Sequence, residues 1–202
     1  MHKPGHVYLV DDDAAVRDAL GLLLLSHGYM VRSFESGEQF LAEVDAGSDG
    51  VAILDVRMPG LSGLDVFDQL RAVDSELIVL FLSGHGDIPM AVQAIKQGAF
   101  DFLEKPCAEQ QLLDKLDDAL EVVRGRSQSR QGQQAVDKRL ATLTQREREV
   151  MDRVLAGKLN KQIADDLNIT IRTIEVHRAK VFAKMGVRSA VDLAQMLAGK
   201  AA

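Results

Sequence analysis

The first part of the chain alternates short apolar runs with segments in which apolar residues recur at helical spacing. The apolar runs lie at residues 6–10, 30–34, 51–55, 77–82 and 100–103. Runs of this length, bounded by turn residues, indicate strands that are buried on both faces of a parallel sheet. The helical spacing predicts helices at residues 16–27, 36–44, 63–72, 88–97 and 112–123. This alternation predicts an α/β doubly wound fold around a five-stranded parallel sheet.

The pattern changes after residue 123. Residues 124–134 lack apolar periodicity and are rich in Gln, Ser, Gly and Arg, which predicts a polar, flexible linker or a frayed extension of the preceding helix. Helical spacing returns at Thr144, and the short Asn168-Ile169 connection between two of the following helices predicts an all-α, tetrahelical helix-turn-helix domain. The predicted divisions of the chain are 1–123, 124–139 and 140–202.

Charge is unevenly distributed along the chain. Residues 1–122 carry 22 Asp and Glu against 8 Lys and Arg, whereas residues 123–202 carry 8 against 16. This asymmetry indicates a polyanionic partner for the basic part and cation binding in the acidic part. Cys107 is the only cysteine, so intrachain disulfides and cysteine-based metal sites are excluded. No apolar run is long enough to span a bilayer or serve as a signal peptide, and we expect a cytoplasmic protein.

Polar side chains follow the predicted strands at one edge of the sheet. They are Asp11 and Asp12 after the first strand, Asp55 at the end of the third, Ser83 after the fourth and Lys105 after the fifth. An aspartate after a strand commonly starts a turn, and an acidic triplet is commonly a solvated surface. Here, however, the carboxyl ends of parallel strands meet at one edge, where ligands bind. Converging carboxylates need a cation, and oxygen-only ligands favour Mg²⁺.

Four motifs resemble the receiver domain of bacterial two-component response regulators, over about the first 120 residues. They are Val10-Asp-Asp12, Leu54-Asp-Val-Arg-Met-Pro-Gly60 with Ser62-Gly63, Ser83-Gly-His-Gly-Asp-Ile-Pro-Met90, and Glu104-Lys-Pro106. The resemblance implies that a sensor histidine kinase phosphorylates Asp55. It also implies that Mg²⁺ binds Asp12, the Asp55 carboxylate and the Arg57 backbone carbonyl, with Asp11 holding a metal-bound water.

The same resemblance assigns three further roles. Ser83 and Lys105 would contact the phosphoryl oxygens, and Pro106 would follow a cis peptide bond. Phe102 would be a switch aromatic that turns inward as Ser83 moves, although it can equally be a plain core residue. The only chemistry expected of such a domain is Mg²⁺-dependent self-phosphotransfer and autodephosphorylation, so the protein is not predicted to be an enzyme.

The helix predicted at residues 170–185 has an apolar stripe and a basic, polar surface. Such a surface is commonly solvated, but here its neighbours resemble the LuxR-type DNA-binding domain. The resemblance covers almost all of residues 140–200 and is carried by Leu143-Thr-Gln-Arg-Glu-Arg-Glu149, Gly157-Lys-Leu-Asn-Lys-Gln-Ile-Ala164 and Arg172-Thr-Ile-Glu-Val-His-Arg178. The whole architecture is similar to the NarL/FixJ class of response regulators, and the run from Gly84 to Met90 favours FixJ-like members.

This second resemblance implies that the 170–185 helix enters the major groove of double-stranded DNA. The residues expected to contact phosphates are Lys161, Arg172, Thr173, His177, Lys180 and Lys184. The residues expected near base edges are Glu175, Val176, Arg178 and Ala179. A glutamate can accept from cytosine N4, and an arginine can bind guanine through two hydrogen bonds. RNA polymerase is a further expected partner.

Control by phosphorylation allows two mechanisms. FixJ-like receivers dimerise through the face formed by the 88–97 helix and the 100–103 strand, where Val92, Lys96 and Asp101 are candidates for an apolar contact ringed by intersubunit ion pairs. Alternatively, the acidic receiver masks the basic DNA-binding domain. Other functions are a haloacid-type phosphohydrolase, which would need a second acid after Asp55, and a pure phosphorelay intermediate, against which the basic helix argues. An RNA-binding output stays open, and comparing binding to duplex DNA and to structured RNA would decide it.

Overall fold

The computed structural model describes residues 5–84 and 88–198, and within them five parallel strands form one sheet with the order β2-β1-β3-β4-β5. The strands are β1 (His6–Val10), β2 (Met30–Phe34), β3 (Val51–Leu54), β4 (Ile78–Ser83) and β5 (Asp101–Glu104). The chain leaves β1 toward β2 on one side and pairs β1 with β3 on the other. The crevice at this reversal, outside the carboxyl ends of the strands, is where ligands bind in such sheets. The predicted doubly wound fold is confirmed.

Helices cover both faces of the sheet. They are α1 (Ala14–Ser26), α2 (Gly37–Glu43), α3 (Gly63–Ala72), α4 (Ile88–Lys96) and α5 (Glu109–Ala141). Side chains of β1 alternate between two cores. Val7 and Leu9 pack in the core that includes α1 and α5 residues, whereas Tyr8 and Val10 pack in the core that includes α2, α3 and α4 residues. Complete burial of a side chain such as Leu9 contributes about 1.5–3 kcal/mol to the free energy of folding.

Several helix ends differ slightly from the prediction because of capping. Helix α1 begins before residue 16, since the Asp13 carboxylate accepts hydrogen bonds from the backbone N–H groups of Ala15 and Val16. Serine caps begin α2 and α3 at Ser36 and Ser62. The part of the FixJ-like run formed by residues 85–87 lies outside the described residues.

The segment predicted as a polar linker is helical. Helix α5 runs without interruption from Glu109 to Ala141 and so includes residues 124–139. The expectation of a flexible linker is therefore corrected, whereas the alternative of a helix extension agrees with the structure. The segment contains no proline and is rich in the good helix formers Gln and Arg, and its two glycines cost only about 1 kcal/mol each. The predicted domain limits themselves stay predictions.

The chain divides into two compact units, residues 1–127 and 128–202. The described part of the second unit contains, after α5, the helices α6 (Gln145–Leu155), α7 (Asn160–Leu167), α8 (Ile171–Met185) and α9 (Ala190–Ala198). Its core includes Val150, Ile163, Ile174, Val181 and Leu193. The C-cap of α7 is Asn168, in the left-handed conformation, and the N-cap of α8 is Thr170, whose hydroxyl accepts from the Thr173 N–H at 3.2 Å. This is the predicted helix-turn-helix.

The end of α5 belongs to the core of the second unit. Val136 and Leu140 pack against that core, and Arg139 Nη1 donates to the Met185 carbonyl at 2.8 Å. A carbonyl in the last turn of a helix has no partner within the helix, so Arg139 satisfies one of these groups at the end of α8. Over residues 5–84 and 88–198, no helix combines the length and the apolar character that crossing a bilayer requires.

Candidate functional site

Two buried aspartates lie side by side at the carboxyl edge of the sheet. Asp11 follows β1 and Asp55 follows β3, and the Asp55 N–H donates to the Val10 carbonyl at 2.8 Å, extending the pairing of the two strands. Asp11 is 2% exposed and Asp55 is 7% exposed. Buried carboxylates are costly unless they are paired or hydrogen-bonded. The side chain that pairs with both carboxylates is Lys105, which follows β5.

Lys105 joins the two carboxylates. Its ammonium donates to Asp55 Oδ1 at 2.8 Å and also to Asp11 Oδ2. The Lys105 N–H donates to the Ser83 carbonyl at 2.8 Å, which places the buried Ser83 beside the same edge of the sheet. The Lys105–Pro106 peptide bond is cis, as the resemblance implied. Burial by itself would lower the pKa of Lys105, but the hydrogen bonds to Asp11 and Asp55, together with the charges of these carboxylates, raise the pKa above its ordinary value. The side chain therefore stays an ammonium.

The remaining carboxylate oxygens bind nearby backbone groups. Asp55 Oδ2 accepts from the Arg57 N–H at 2.8 Å, and Asp11 Oδ1 accepts from the Asp13 N–H at 3.0 Å. Arg17 Nη1, from α1, donates to the Asp11 carbonyl at 2.7 Å. Sequence reasoning missed Arg17, because nothing in the sequence shows that its side chain turns back toward the strand end.

The oxygens at this edge suit Mg²⁺, which takes one or two carboxylates and keeps several waters. Asp11 and Asp55 are bridged by Lys105, and Asp12 is exposed. In the part of the chain that the structure describes, no three His, Cys, Asp or Glu side chains form a metal-holding group. The predicted ligands therefore fit the ion by their chemistry, but the structure does not bring Asp12 together with the other two carboxylates.

Phe102 lies on β5, two residues from the end of that strand. Its ring centroid is 6.0 Å from that of Phe81, and the side chain is half-buried against the core on the side of α2, α3 and α4. This position is compatible with both predicted roles, a switch aromatic and a core residue. The assignment stays a prediction.

The predicted dimer face contains exposed apolar residues on α4. Val92 is 46% exposed and Ile95 is 43% exposed, and Lys96 is exposed beside them. The carboxylate of Asp101 has a partner within the same chain, because it pairs with Lys115 Nζ of α5 at 2.8 Å. Asp101 was expected to be available for a partner subunit, and sequence reasoning missed Lys115 because the pairing depends on how α5 packs beside β5.

Helix α8 presents most of the predicted DNA-contacting residues to solvent. The exposed ones are Arg172, Glu175, Val176, Ala179 and Lys180, and Lys161 on α7 is also exposed. Thr173 is half-buried, and its hydroxyl lies 2.8 Å from that of Thr170 at the helix start. His177 is half-buried, and its Nδ1 has no hydrogen-bond partner among the described residues.

Two of the predicted DNA contacts are engaged inside the domain. Lys184 Nζ donates to Glu147 Oε2 at 2.6 Å and to the Thr142 carbonyl at 2.9 Å. Arg178 donates to the side-chain oxygen of Asn160, and its guanidinium lies over the Phe182 ring, 5.6 Å from the centroid. For both side chains the sequence suggested DNA contact only, and it gave no sign of these internal partners.

Glu147 forms a capping box with Thr144 at the start of α6. It is 3% exposed, and its Oε2 accepts from both the Thr144 N–H at 2.8 Å and Lys184. The hydrogen bond to Lys184, followed by that to the Thr144 backbone, lowers the pKa of Glu147 to about 2. The carboxylate is therefore ionised, buried and paired at neutral pH.

Comparison with known proteins agrees with both halves of this description. Residues 7–117 match the response regulator receiver domain, and residues 141–197 match the bacterial regulatory proteins of the luxR family. The C4-dicarboxylate transport transcriptional regulatory protein DctR of Rhodobacter capsulatus is 46% identical, with 94% of this chain and 98% of that protein covered. The transcriptional regulatory protein FixJ of Bradyrhizobium diazoefficiens is 41% identical, with 97% and 96% covered.

Solved structures give the same result. The response regulator StyR matches with a TM-score of 0.88 and 39% identity, over 96% of this chain and 98% of that one. Full-length FixJ from B. japonicum matches with a TM-score of 0.60 and 40% identity, over 98% of both chains. The chain therefore belongs to the two-component response regulators that combine a receiver domain with a LuxR-family DNA-binding domain and regulate transcription.

Proposed function

We propose that Asp55 accepts a phosphoryl group from a histidine kinase and that this modification increases binding of the second unit to promoter DNA through α8. The observation that carries the proposal is the burial of Asp55 at the carboxyl edge of the sheet, with the Lys105 ammonium 2.8 Å from its Oδ1. A receiver domain implies a kinase partner, and a LuxR-family domain implies DNA binding. A cytoplasmic location and contact with RNA polymerase stay predictions.

The proposed transfer uses Asp55 as a nucleophile. A carboxylate oxygen forms a bond to phosphorus while the bond between phosphorus and the histidine nitrogen of the kinase breaks, and that nitrogen keeps the electron pair. Asp11, Asp12, the Asp55 carboxylate and the Arg57 carbonyl would hold Mg²⁺, which supplies charge neutralisation to the transferring group. In autodephosphorylation, a water oxygen would attack phosphorus while the bond from phosphorus to the Asp55 oxygen breaks, which restores the carboxylate and releases inorganic phosphate.

Lys105 carries the proposed response to phosphorylation. In the unmodified protein its ammonium pairs with both Asp11 and Asp55. The phosphoryl group adds about −1.5 to −2 of charge and three strong acceptor oxygens. We expect Lys105 and the Ser83 hydroxyl to bind these oxygens, and Phe102 to respond to the movement of Ser83 because β4 and β5 are paired at this point.

The proposal predicts that phosphorylation tightens DNA binding by the full chain. Duplexes selected from genomic fragments would be titrated with protein before and after treatment with acetyl phosphate and Mg²⁺, at fixed salt. If phosphorylation brings two DNA-binding units onto adjacent half-sites, affinity should rise by about 10²–10⁴. Asp55→Asn should bind equally in both conditions. Equal affinity of the parent in both conditions would reject phosphorylation control.

We propose dimerisation through α4 as the mechanism. Support comes from the exposed Val92 and Ile95 and from the FixJ-like character of the receiver. Because Asp101 already pairs with Lys115, the apolar residues of α4 are expected to contribute more than intersubunit ion pairs at Asp101. Contacts with charged partners at an exposed rim contribute little, about 0–1 kcal/mol each.

Val92→Asp is expected to prevent phosphorylation-dependent dimerisation, because it places a charge in the centre of an apolar contact. Sedimentation velocity of the full chain, with and without phosphoryl donor, would measure the change. Val73→Asp is a matched control, since Val73 is 57% exposed and lies at the end of α3. Dimers that form equally well in Val92→Asp would exclude this face.

If the masking alternative holds instead, residues 128–202 alone will bind DNA more tightly than the unphosphorylated full chain.

A further inference from the structure

We propose that Arg178 reads no base, and that it braces α8 against α7 through Asn160. Asn160 is then a positioning residue for DNA recognition. The inference rests on the proposed function, since it concerns how the same helix recognises DNA. The inference gives Arg178 a different role from the contact with guanine that its position in the sequence suggested.

The guanidinium of Arg178 has two partners within the second unit, the side chain of Asn160 and the ring of Phe182. Its Nη1 donates to Asn160 Oδ1, and its Cζ lies over the ring of Phe182, one turn further along α8, at 5.6 Å from the ring centroid. Both Arg178 and Asn160 are half-buried. An arginine that stacks on an aromatic ring and bonds an amide oxygen is fixed in both direction and position, and a lysine cannot reproduce this arrangement. Binding guanine through two hydrogen bonds would require the guanidinium to leave these partners.

The location of this contact explains what it would fix. The turn at Asn168 joins the end of α7 to the start of α8, whereas Asn160 is the first residue of α7. Arg178 lies seven residues into α8, about 10 Å along its axis. The turn and the Asn160–Arg178 contact are therefore two separate points of attachment, and together they set the angle between the two helices. Without this contact, the angle would depend on the turn and on core side chains such as Ile163 and Ile174 alone.

The brace also sets the distance between two kinds of DNA contact. Lys161, a predicted phosphate contact, is adjacent to Asn160 and exposed. Phosphate contacts fix the register of a protein on the duplex, and base contacts specify the sequence. By connecting the start of α7 to the middle of α8, Asn160 and Arg178 hold these two sets of contacts at a constant separation.

If Arg178 contacts no base, the remaining residues that can contact base edges are the exposed Glu175, Val176 and Ala179. A glutamate accepts from cytosine N4, and small apolar side chains contact the thymine methyl group. The contacted bases on one strand are therefore expected to be cytosine and thymine, and no contacted guanine should depend on Arg178.

The test compares phosphorylated full-length variants on duplexes selected by the parent from a random library. Asn160→Ala, Arg178→Ala and the double variant would be measured for affinity, for base preference at each position and for salt dependence. We expect each single change to weaken binding about tenfold, a size typical of coupled neighbours, and the double change to weaken it no further. Base preferences should be unchanged. Lys161→Ala, by contrast, should lower the slope of log affinity against log salt concentration by about 1.

Arg178→Lys separates bracing from a charge contact, and it keeps the test informative if the alanine variants unfold. It retains the positive charge, so a phosphate contact would survive, whereas the brace predicts a loss close to that of Arg178→Ala. Relaxed preference at a single G·C pair in either Arg178 variant, or additive losses in the double variant, would overturn the inference. Absence of duplex binding by the phosphorylated parent would instead reject the proposed function.

Discussion

Replacing Asp55 by Asn is expected to abolish phosphorylation from acetyl phosphate and Mg²⁺. The amide has no anionic oxygen to attack phosphorus, and loss of a nucleophile lowers the rate of such a step by more than about 10³-fold. The parent should gain one acid-labile phosphoryl group, measured by intact-protein mass spectrometry. Asp55→Asn should gain none.

Asp13→Asn is the matched control for this result. Asp13 lies in the same acidic triplet, but it is exposed and caps α1 by accepting from Ala15 and Val16, which an Asn side chain can also do. We expect Asp13→Asn to be labelled at a rate similar to that of the parent. Labelling of Asp55→Asn to the parent's level would show that another residue accepts the phosphoryl group.

Replacing Glu147 by Gln is expected to destabilise the second unit more than any other single change to a polar side chain discussed above. The change removes the charge that binds Lys184 at 2.6 Å and the Thr144 N–H at 2.8 Å. Hydrogen bonds to charged groups contribute roughly 1.5–3 kcal/mol, so the free energy of unfolding should fall by about this amount. Urea unfolding of residues 128–202 at pH 7 would measure it, with Glu149→Gln, which alters a more exposed ion pair with Arg146, as the control.

The same pair predicts a pH dependence with a definite sign. The pKa of Glu147 is lowered from 4.5 to about 2 in the folded protein, chiefly by Lys184. A group whose pKa is lowered by folding stabilises the protein above its unfolded pKa, and that contribution is lost as pH falls toward the folded value. The stability difference between parent and Glu147→Gln should therefore be constant above about pH 5 and should shrink toward pH 2. A difference that stays constant down to pH 2 would mean that the ionised carboxylate is not its source.

The grouping of polar residues at the carboxyl edge of the sheet was predictable because topology determines it. Once alternating strands and helices indicate a parallel sheet, the residues that follow the strands must meet at one edge, so Asp11, Asp55, Ser83 and Lys105 could be grouped without knowing any side-chain direction. The helix-turn-helix was predictable for a similar reason, since caps and short turns are local signals. The residues identified in this way depend on backbone position alone.

The internal partners of three charged side chains could not be predicted from the sequence, for a common physical reason. Arg178 and Lys184 are long, flexible side chains on a helix surface, and their partners Asn160 and Glu147 are 18 and 37 residues away in the sequence. Helical spacing shows the face on which such a residue lies, but it does not show whether the charged group turns outward or toward a neighbouring helix. The pairing of Asp101 with Lys115 could not be predicted for the same reason.

The division of roles along α8 has a consequence for how such a regulator can evolve. Arg178 and Lys184 hold the helix in place, whereas Glu175, Val176 and Ala179 are exposed. Exposed substitutions usually change stability by less than about 0.5 kcal/mol. After gene duplication, one copy could therefore change its operator through two or three substitutions at these positions without weakening its fold. New promoters would be acquired by replacing residues that the domain does not need for folding.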